Sequence, residues 1–202
     1  FNENSQSYSE VRPSYPESIF NNFHTFHQTK ASSNFLEIGS GTGIATEIIT
    51  NLWKPNITVI EPGLSLFNLS RDKLKSFNNI SFNHTTFELF EASIKFDCIY
   101  AATAFHWLEP ELKFSKSHTL LKEGGLLFVF WNYFALKNDE TNEAIQLIYK
   151  EHHPREFKEV NVKSLRKNKI IVRREEIENS CYFKHIDHFE VTYYKSFNSE
   201  QY

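Results

Sequence analysis

Short runs rich in Val, Ile, Leu and Phe stand at Asn34 to Ile38, Ile57 to Ile60, Ile80 to Asn83, Phe96 to Tyr100 and Leu126 to Trp131. Most intervals between them carry apolar residues at helical spacing, which predicts helices at Ile44 to Trp53, Leu64 to Phe77 and Glu111 to Leu121. The last of these ends in "KEGG", read as a glycine stop ahead of a buried strand. Strand and helix in alternation pack as an α/β fold, a doubly wound and mostly parallel sheet with helices on both faces. Ligands in such sheets sit beyond the carboxyl ends of the strands, where the strand order reverses.

Chain size limits how much else is present. With 202 residues, 40% of them hydrophobic and 16% aromatic, the chain can bury one ordinary core. A single domain is expected, with an N-terminal helical cap over 1–33, a cofactor-binding core over 34–132, and a substrate-side or lid segment with a C-terminal strand over 133–202. The longest nearly apolar run, Gly124 to Leu136, is too short to cross a bilayer and contains Asn132, and the mean hydropathy is −0.47. The opening "FNENSQSYSE" lacks the charged start and apolar stretch of a signal peptide, and a cytoplasmic location is expected. Cys98 and Cys181 are far apart and outside any CxxC, which argues against a disulfide framework or a zinc site. A net charge of −3 gives no global attraction to nucleic acid.

The first strand runs into "EIGSGTG", Glu37 to Gly43. Three glycines let backbone turn sharply, take positive φ, and meet a ligand without an intervening Cβ. A Rossmann-like dinucleotide site has the spacing G-x-G-x-x-G with pyrophosphate on the helix N-terminus, but here the third glycine comes one residue early. Glu37, an acid just before the loop, disfavours a pyrophosphate and suits a cationic amino group. Glu61 ends the second strand eighteen residues past Gly43 and can accept from both ribose hydroxyls of either NAD or S-adenosylmethionine. After the third strand comes "TTFELF", where Phe87 can lie near an adenine ring and Glu88 can accept from its exocyclic amine.

In this order of motifs the sequence resembles the class I S-adenosylmethionine-dependent methyltransferases, in particular the small-molecule group called type 11. The resemblance runs from about Tyr8 to Asn132: Tyr8 followed by "RPSYP", then "EIGSGTG", Glu61, the Phe87–Glu88 pair, "FDCIYAATAFHW" and "LLKEGGLLFVFWN". It implies S-adenosyl-L-methionine as cofactor, with Glu37 near the methionine amino group and Gly39, Ser40, Gly41 and Gly43 shaping the loop beneath the methionine and ribose. Glu61 would serve the ribose, Phe87 and Glu88 the adenine, while Thr103 and Ala104 would line the cleft. On this reading Glu61→Ala weakens cofactor binding and spares the fold.

Methyl transfer from a sulfonium asks mainly for placement and dryness. Tyr8, Tyr15, Phe105 and Trp107 are the candidate aromatic walls of the substrate pocket. His106 is the candidate general base, with a loop-shaping hydrogen bond as its alternative role. The acceptor is expected to be a small molecule, with a carboxylate suggested by Lys163, Arg166, Lys167, Lys169, Arg173 and Arg174 and by a post-strand loop like that of trans-aconitate methyltransferases. Two other functions stay open: a non-catalytic cofactor-binding or scaffolding protein of the same fold, and a nicotinamide oxidoreductase. "AATAFHW" is not the acid-or-Asn-Pro-Pro-aromatic motif of enzymes that methylate DNA bases. His24 with His27, His152 with His153, and His185 with His188 join no carboxylate or thiolate set, so no metal site is expected. From Pro154 the chain turns charged, read as a solvated helix face before a strand at Phe189 to Phe197. With no Met in the sequence and an ending on "SFNSEQY", the native chain is expected to hold methionines and to continue past Tyr202 into a helix capped by Ser199.

Overall fold

In the computed structural model, the residues described are 13–26, 28–133, 139–154, 162–184, 187–194 and 196. They begin with α1 (Glu17–Phe26), β1 (Asn34–Ile38), α2 (Ile44–Trp53), β2 (Asn56–Ile60), α3 (Leu64–Leu74) and β3 (Ile80–Asn83). There follow β4 (Phe96–Ala102), a 3-10 turn (Phe105–Trp107), α4 (Pro110–Leu120), β5 (Leu121–Phe130), α5 (Asp139–His152) and α6 (Val162–Asn179). The strands form one parallel sheet in the order β3-β2-β1-β4-β5. The chain therefore moves outward through β2 and β3 and then returns across β1 to lay down β4. The reversal puts a crevice at the carboxyl ends of β1 and β4.

Apolar side chains hold these elements in place. β1 is buried from Phe35 to Ile38, as a central parallel strand covered on both faces must be. On α2 the buried set is Ala45, Thr46, Ile49 and Thr50, one helical stripe against the sheet. Lys54 ends α2 in the left-handed conformation, its N–H returning to Thr50 O at 3.0 Å. On α3 the buried residues are Leu66, Ser70 and Leu74, each four apart. α1 contributes an aromatic face: Phe23 stacks on Phe128 of β5 at 4.4 Å, and Phe20 meets Phe130 edge-on at 5.6 Å. Each such ring, fully buried, stabilises the fold by about 1.5–3 kcal/mol.

The strands β1 to β5 and the helices α2 to α4 are those the periodicity predicts, with informative shifts, while α5 carries no periodic prediction. The "KEGG" segment is not a helix stop. α4 ends because Leu121 turns extended (ψ 151°), and β5 starts there, pairing Leu121 with Phe96. The register then jumps to Cys98 opposite Leu126, so the glycines lie within an irregularity of β5, with Gly124 at φ +72°. α3 stops at Leu74, short of Phe77, whose N–H closes a turn onto Leu74 O at 3.0 Å. The strand expected at Phe189 to Phe197 is absent from the described part of that segment, where 187–194 and 196 form no regular element. Side chains anchor it instead. Phe189 stacks on Phe128 at 6.5 Å, and the Tyr193 hydroxyl donates to Ser14 O at 3.0 Å.

The chain divides into two compact units. One holds the sheet and the segment from Ile186 onward, and the other spans Asn132–His185. In the second unit, Tyr133 lies under Lys169 and Arg173 of α6, with the two cationic groups 5.7 and 5.4 Å from its ring centroid. Most of the other described side chains of α6 are exposed, Ile171 and Val172 among them. Among the described residues no helix is long and apolar enough to cross a membrane. Ser199 lies outside the described residues.

Candidate functional site

The glycine loop sits at the switch point. Gly39, Gly41 and Gly43 all take left-handed φ, at +68°, +58° and +76°. Their reasons differ. A Cβ on Gly39 would lie 2.8 Å from the Cβ of Ala104, so this glycine lets the loops after β1 and β4 touch. A Cβ on Gly43 would lie 2.9 Å from Leu74 Cδ1 and 3.3 Å from Ser70 Cβ, so this one lets α2 start close against α3. Backbone bonds from Gly39 N to Ile60 O (2.9 Å) and from Gly43 N to Ser40 O (2.9 Å) fix the loop's path.

Glu37 is fully buried on β1. Its Oε2 accepts from the hydroxyls of Thr46 on α2 and Tyr100 on β4, the latter at 2.9 Å, while Oε1 has no partner. Burial pushes the carboxyl up to about 7; the two hydroxyl bonds pull it back, and the nearby Glu61 carboxylate adds to the rise. Burial also pushes the Tyr100 hydroxyl well above its ordinary value, which keeps it a donor. The parallel register sets Tyr100 directly beside Glu37. Neither Thr46 nor Tyr100 was legible as a site residue. The signal for Tyr100 lies in the register of two distant strands, which periodicity does not give.

Buried polar atoms without partners gather in this loop: Glu37 Oε1, Ser40 Oγ and Thr42 Oγ1. Such groups are rare in folded chains and point to a polar ligand.

Glu61, at the end of β2, is 5% exposed and carries two structural bonds. Its Oε2 accepts from Gly41 N and its Oε1 from Gly63 N, both at 2.9 Å, which ties the glycine loop to the turn leading into α3. Each carboxylate oxygen keeps capacity for a further donor. The expectation that Glu61→Ala spares the fold does not survive this geometry, because two backbone amides would lose their acceptor.

The loop after β3 places Phe87 and Glu88 side by side with different exposure. Phe87 is buried, with Lys116 Nζ 5.6 Å above its ring, so packing already takes up one face. Glu88 is half-buried and reaches the loop before α4, its Oε1 accepting from Glu109 N at 3.4 Å. Burial alone would raise this carboxyl. Bonds from its own amide, the Glu109 amide and the Thr86 hydroxyl, with the charge of Lys116, outweigh it and hold the group below the usual range.

Past β4, Thr103 adopts φ +60°, a conformation a β-branched residue rarely takes. Its N–H is held by Phe130 O at 2.8 Å, and its Oγ1 is 3.0 Å from the Tyr15 hydroxyl. Tyr15 is buried and packs edge-on against Phe130, so the candidate substrate aromatic is a support for the Thr103 loop. Phe105 is likewise buried, against Phe114 at 5.4 Å and under Lys113 at 5.7 Å. Trp107 is 72% exposed. His106 is exposed, and its Nδ1 accepts from Trp131 Nε1 at 3.1 Å. Trp131 is a site residue that sequence reasoning missed: it directly follows β5, and its indole nitrogen has no signature in a run of aromatics. Tyr8 lies outside the described residues.

The candidates converge on the carboxyl ends of β1, β2 and β4, with Glu88 one loop further along. His24, half-buried, stacks on Trp53 at 5.5 Å, while His153 packs on Tyr149. His27 and His185 lie outside the described residues. Among the described residues no group of three His, Cys, Asp or Glu side chains is placed to hold a metal ion.

A methyltransferase-domain family model matches residues 36–129. The chain is 30% identical to the Saccharomyces cerevisiae protein named "Probable S-adenosylmethionine-dependent methyltransferase CRG1", over 155 residues that make up 74% of this chain and 52% of that one. It is 32% identical over 96 residues to malonyl-(acyl-carrier protein) O-methyltransferase 2 of Ilyobacter polytropus, covering 46% of this chain and 37% of the relative. The chain thus spans about half, or less, of the length of these relatives. The crystal structure of YcgJ from Bacillus subtilis shares the fold, with a TM-score of 0.55 at 14% identity over 82% of this chain and 68% of that one. The matched segment is the one whose glycine loop, switch point and strand-end acids have just been described, and over it the chain is similar to S-adenosylmethionine-dependent methyltransferases.

Proposed function

We propose that the chain binds S-adenosyl-L-methionine across the ends of β1, β2 and β4 and transfers its methyl group to a small molecule through a carboxylate oxygen. The observation that carries the cofactor reading is the cradle itself. Three left-handed glycines adjoin three buried and unpartnered polar atoms, Glu37 Oε1, Ser40 Oγ and Thr42 Oγ1. A ligand with an ammonium group and hydroxyls fits that donor and acceptor set. Glu37 offers Oε1 to the ammonium, which favours its ionised form. Glu61 has lone pairs left for the ribose, and Glu88 stands at the adenine end of the crevice.

When bound, the cofactor supplies an activated methyl on a sulfonium, which a nucleophile takes by in-line displacement. The chain's part is to orient both molecules and to exclude water. A carboxylate acceptor is ionised at neutral pH and needs no proton removed. The acceptor class is supported by the malonyl O-methylation in the name of the Ilyobacter relative and by the basic residues concentrated in the sequence from Lys163 to Arg174. We place the protein in the cytoplasm, because Cys98 and Cys181 are both free thiols, as a reducing compartment leaves them. Incubation with S-adenosylmethionine and a panel of small mono-, di- and tricarboxylic acids tests the proposal. Acceptor-dependent S-adenosylhomocysteine is the expected result. Turnover only with amines or neutral alcohols would overturn the carboxylate assignment, and the absence of turnover with any acceptor would return the chain to a binding role.

A further inference from the structure

We infer that Trp131 is a positioning residue that holds His106 as the Nε2–H tautomer, so that the imidazole meets the methyl acceptor as a hydrogen-bond donor and does not serve as a general base. The inference rests on the proposed methyl transfer. Its first support is the 3.1 Å bond from Trp131 Nε1 to His106 Nδ1. An indole N–H only donates, so His106 Nδ1 must present a lone pair. The ring proton then resides on Nε2 and the imidazole is neutral.

Location supplies the second support. β4 and β5 pair through Ala102 and Phe130, so the residues just past them emerge side by side at the sheet's carboxyl edge. Trp131 follows β5 directly, and His106 lies in the 3-10 turn two residues after Ala104, the residue that abuts Gly39. His106 therefore stands on the loop whose Ala104 meets the glycine loop, and Trp131 reaches it from the end of the neighbouring strand. The 3-10 turn is anchored by Phe105, buried against Phe114, and by Trp107 N bonding to Ala104 O at 3.0 Å. His106, between them, is exposed.

The chemical consequence follows from proton counting. A general base must accept at a ring nitrogen, yet Nδ1 is engaged and Nε2 already carries a proton. Nε2–H suits an anionic oxygen instead. In transfer to a carboxylate, an oxygen lone pair forms the new bond to methyl, the sulfur–methyl bond breaks with its electrons going to sulfur, and no proton moves. A donor at one carboxylate oxygen orients the other for attack.

The test combines a spectrum with two substitutions at one site. In protein labelled with 15N-histidine, bound to S-adenosylhomocysteine, His106 should show a protonated Nε2 and an unprotonated Nδ1, and Trp131→Phe should shift this tautomer balance while leaving S-adenosylhomocysteine affinity within about twofold. With the carboxylic-acid panel, His106→Gln, whose amide N–H replaces the Nε2 donor, should retain kcat within about tenfold of wild type, a change worth about 1.4 kcal/mol. His106→Ala should fall well below His106→Gln. A His106 ring protonated at Nδ1 in the wild-type protein would overturn the inference. So would equal losses of about 10²-fold or more in both His106 variants, the mark of a lost base. If no acid in the panel is methylated, the acceptor reading fails, and the tautomer spectra still decide the role of Trp131.

Discussion

Gly39 and Glu61 show how single residues serve both the fold and the ligand. At Gly39, alanine would meet Ala104 Cβ at 2.8 Å on backbone held at φ +68°. The left-handed conformation and the overpacking together cost about 2–4 kcal/mol. Gly39→Ala should lower the unfolding free energy by that amount, read as a reduced urea midpoint, and weaken S-adenosylhomocysteine binding in a calorimetric titration, since the loops after β1 and β4 must part. An unchanged midpoint would mean that Ala104 gives way. Glu61 accepts from Gly41 N and Gly63 N at once. Glu61→Gln keeps one acceptor and turns an NH2 toward the other amide, so it should reduce stability by about 1–3 kcal/mol and cofactor affinity with it. A loss of affinity with full stability would restore the simpler reading of Glu61 as a ribose ligand alone. The motif was legible at this scale because residue type and spacing encode it. The bonds were not, because Glu61 spans 20 residues to Gly41 and Glu37 spans 63 to Tyr100, distances that only the folded register closes.

Among the elements, β1, β2 and β4 could be read directly from sequence, since central parallel strands are continuous apolar runs bounded by turn residues, and the edge strand β3 from its spaced Ile80 and Phe82. β5 was misjudged at its start, and the reason is local. Leu121 follows α4 without a break, and the register jump between the Phe96 and Cys98 pairings absorbs the extra residues around Gly124 and Gly125. An irregularity of this kind has no periodic signature. A Cβ on Gly125 would lie 3.0 Å from Lys122 O, 3.1 Å from Leu121 Cδ2 and 3.2 Å from Asp97 O. Gly125→Ala should therefore destabilise by about 1–3 kcal/mol, measured by chemical unfolding. Gly124 has open space and a cost from its φ alone, so Gly124→Ala should lose about 1–2 kcal/mol. A neutral Gly125→Ala would show that β5 shifts register freely. The segment around Phe189 also failed as a strand in its described part, because the aromatic alternation that looked like a sheet pattern serves side-chain docking on Phe128 and Ser14.

For the molecule as a whole, the buried acid makes stability depend on pH. Glu37 has a carboxyl at about 7 in the fold against an ordinary 4.5. Between those values the folded chain keeps a proton that the unfolded chain has released, so this group's contribution is fully present below about pH 4.5 and is lost as pH rises toward 7. The span corresponds to a loss on the order of 3 kcal/mol. Glu37→Gln mimics the protonated acid, so it should come nearest the wild type below about pH 4.5 and exceed its stability above pH 7. A difference that stays flat with pH would show that Glu37 is ionised throughout. The resemblance to methyltransferases was legible from the order of motifs along the chain, while the acceptor was not, because loop residues come together at the strand ends by a placement that no spacing rule gives. The central claim is that the cradle at the switch point holds S-adenosylmethionine. Isothermal titration of the wild-type protein with S-adenosylhomocysteine and, separately, with NADH tests it most directly: the account predicts saturable one-to-one binding of S-adenosylhomocysteine and no heat from NADH, and binding of NADH alone, or of neither, would contradict it.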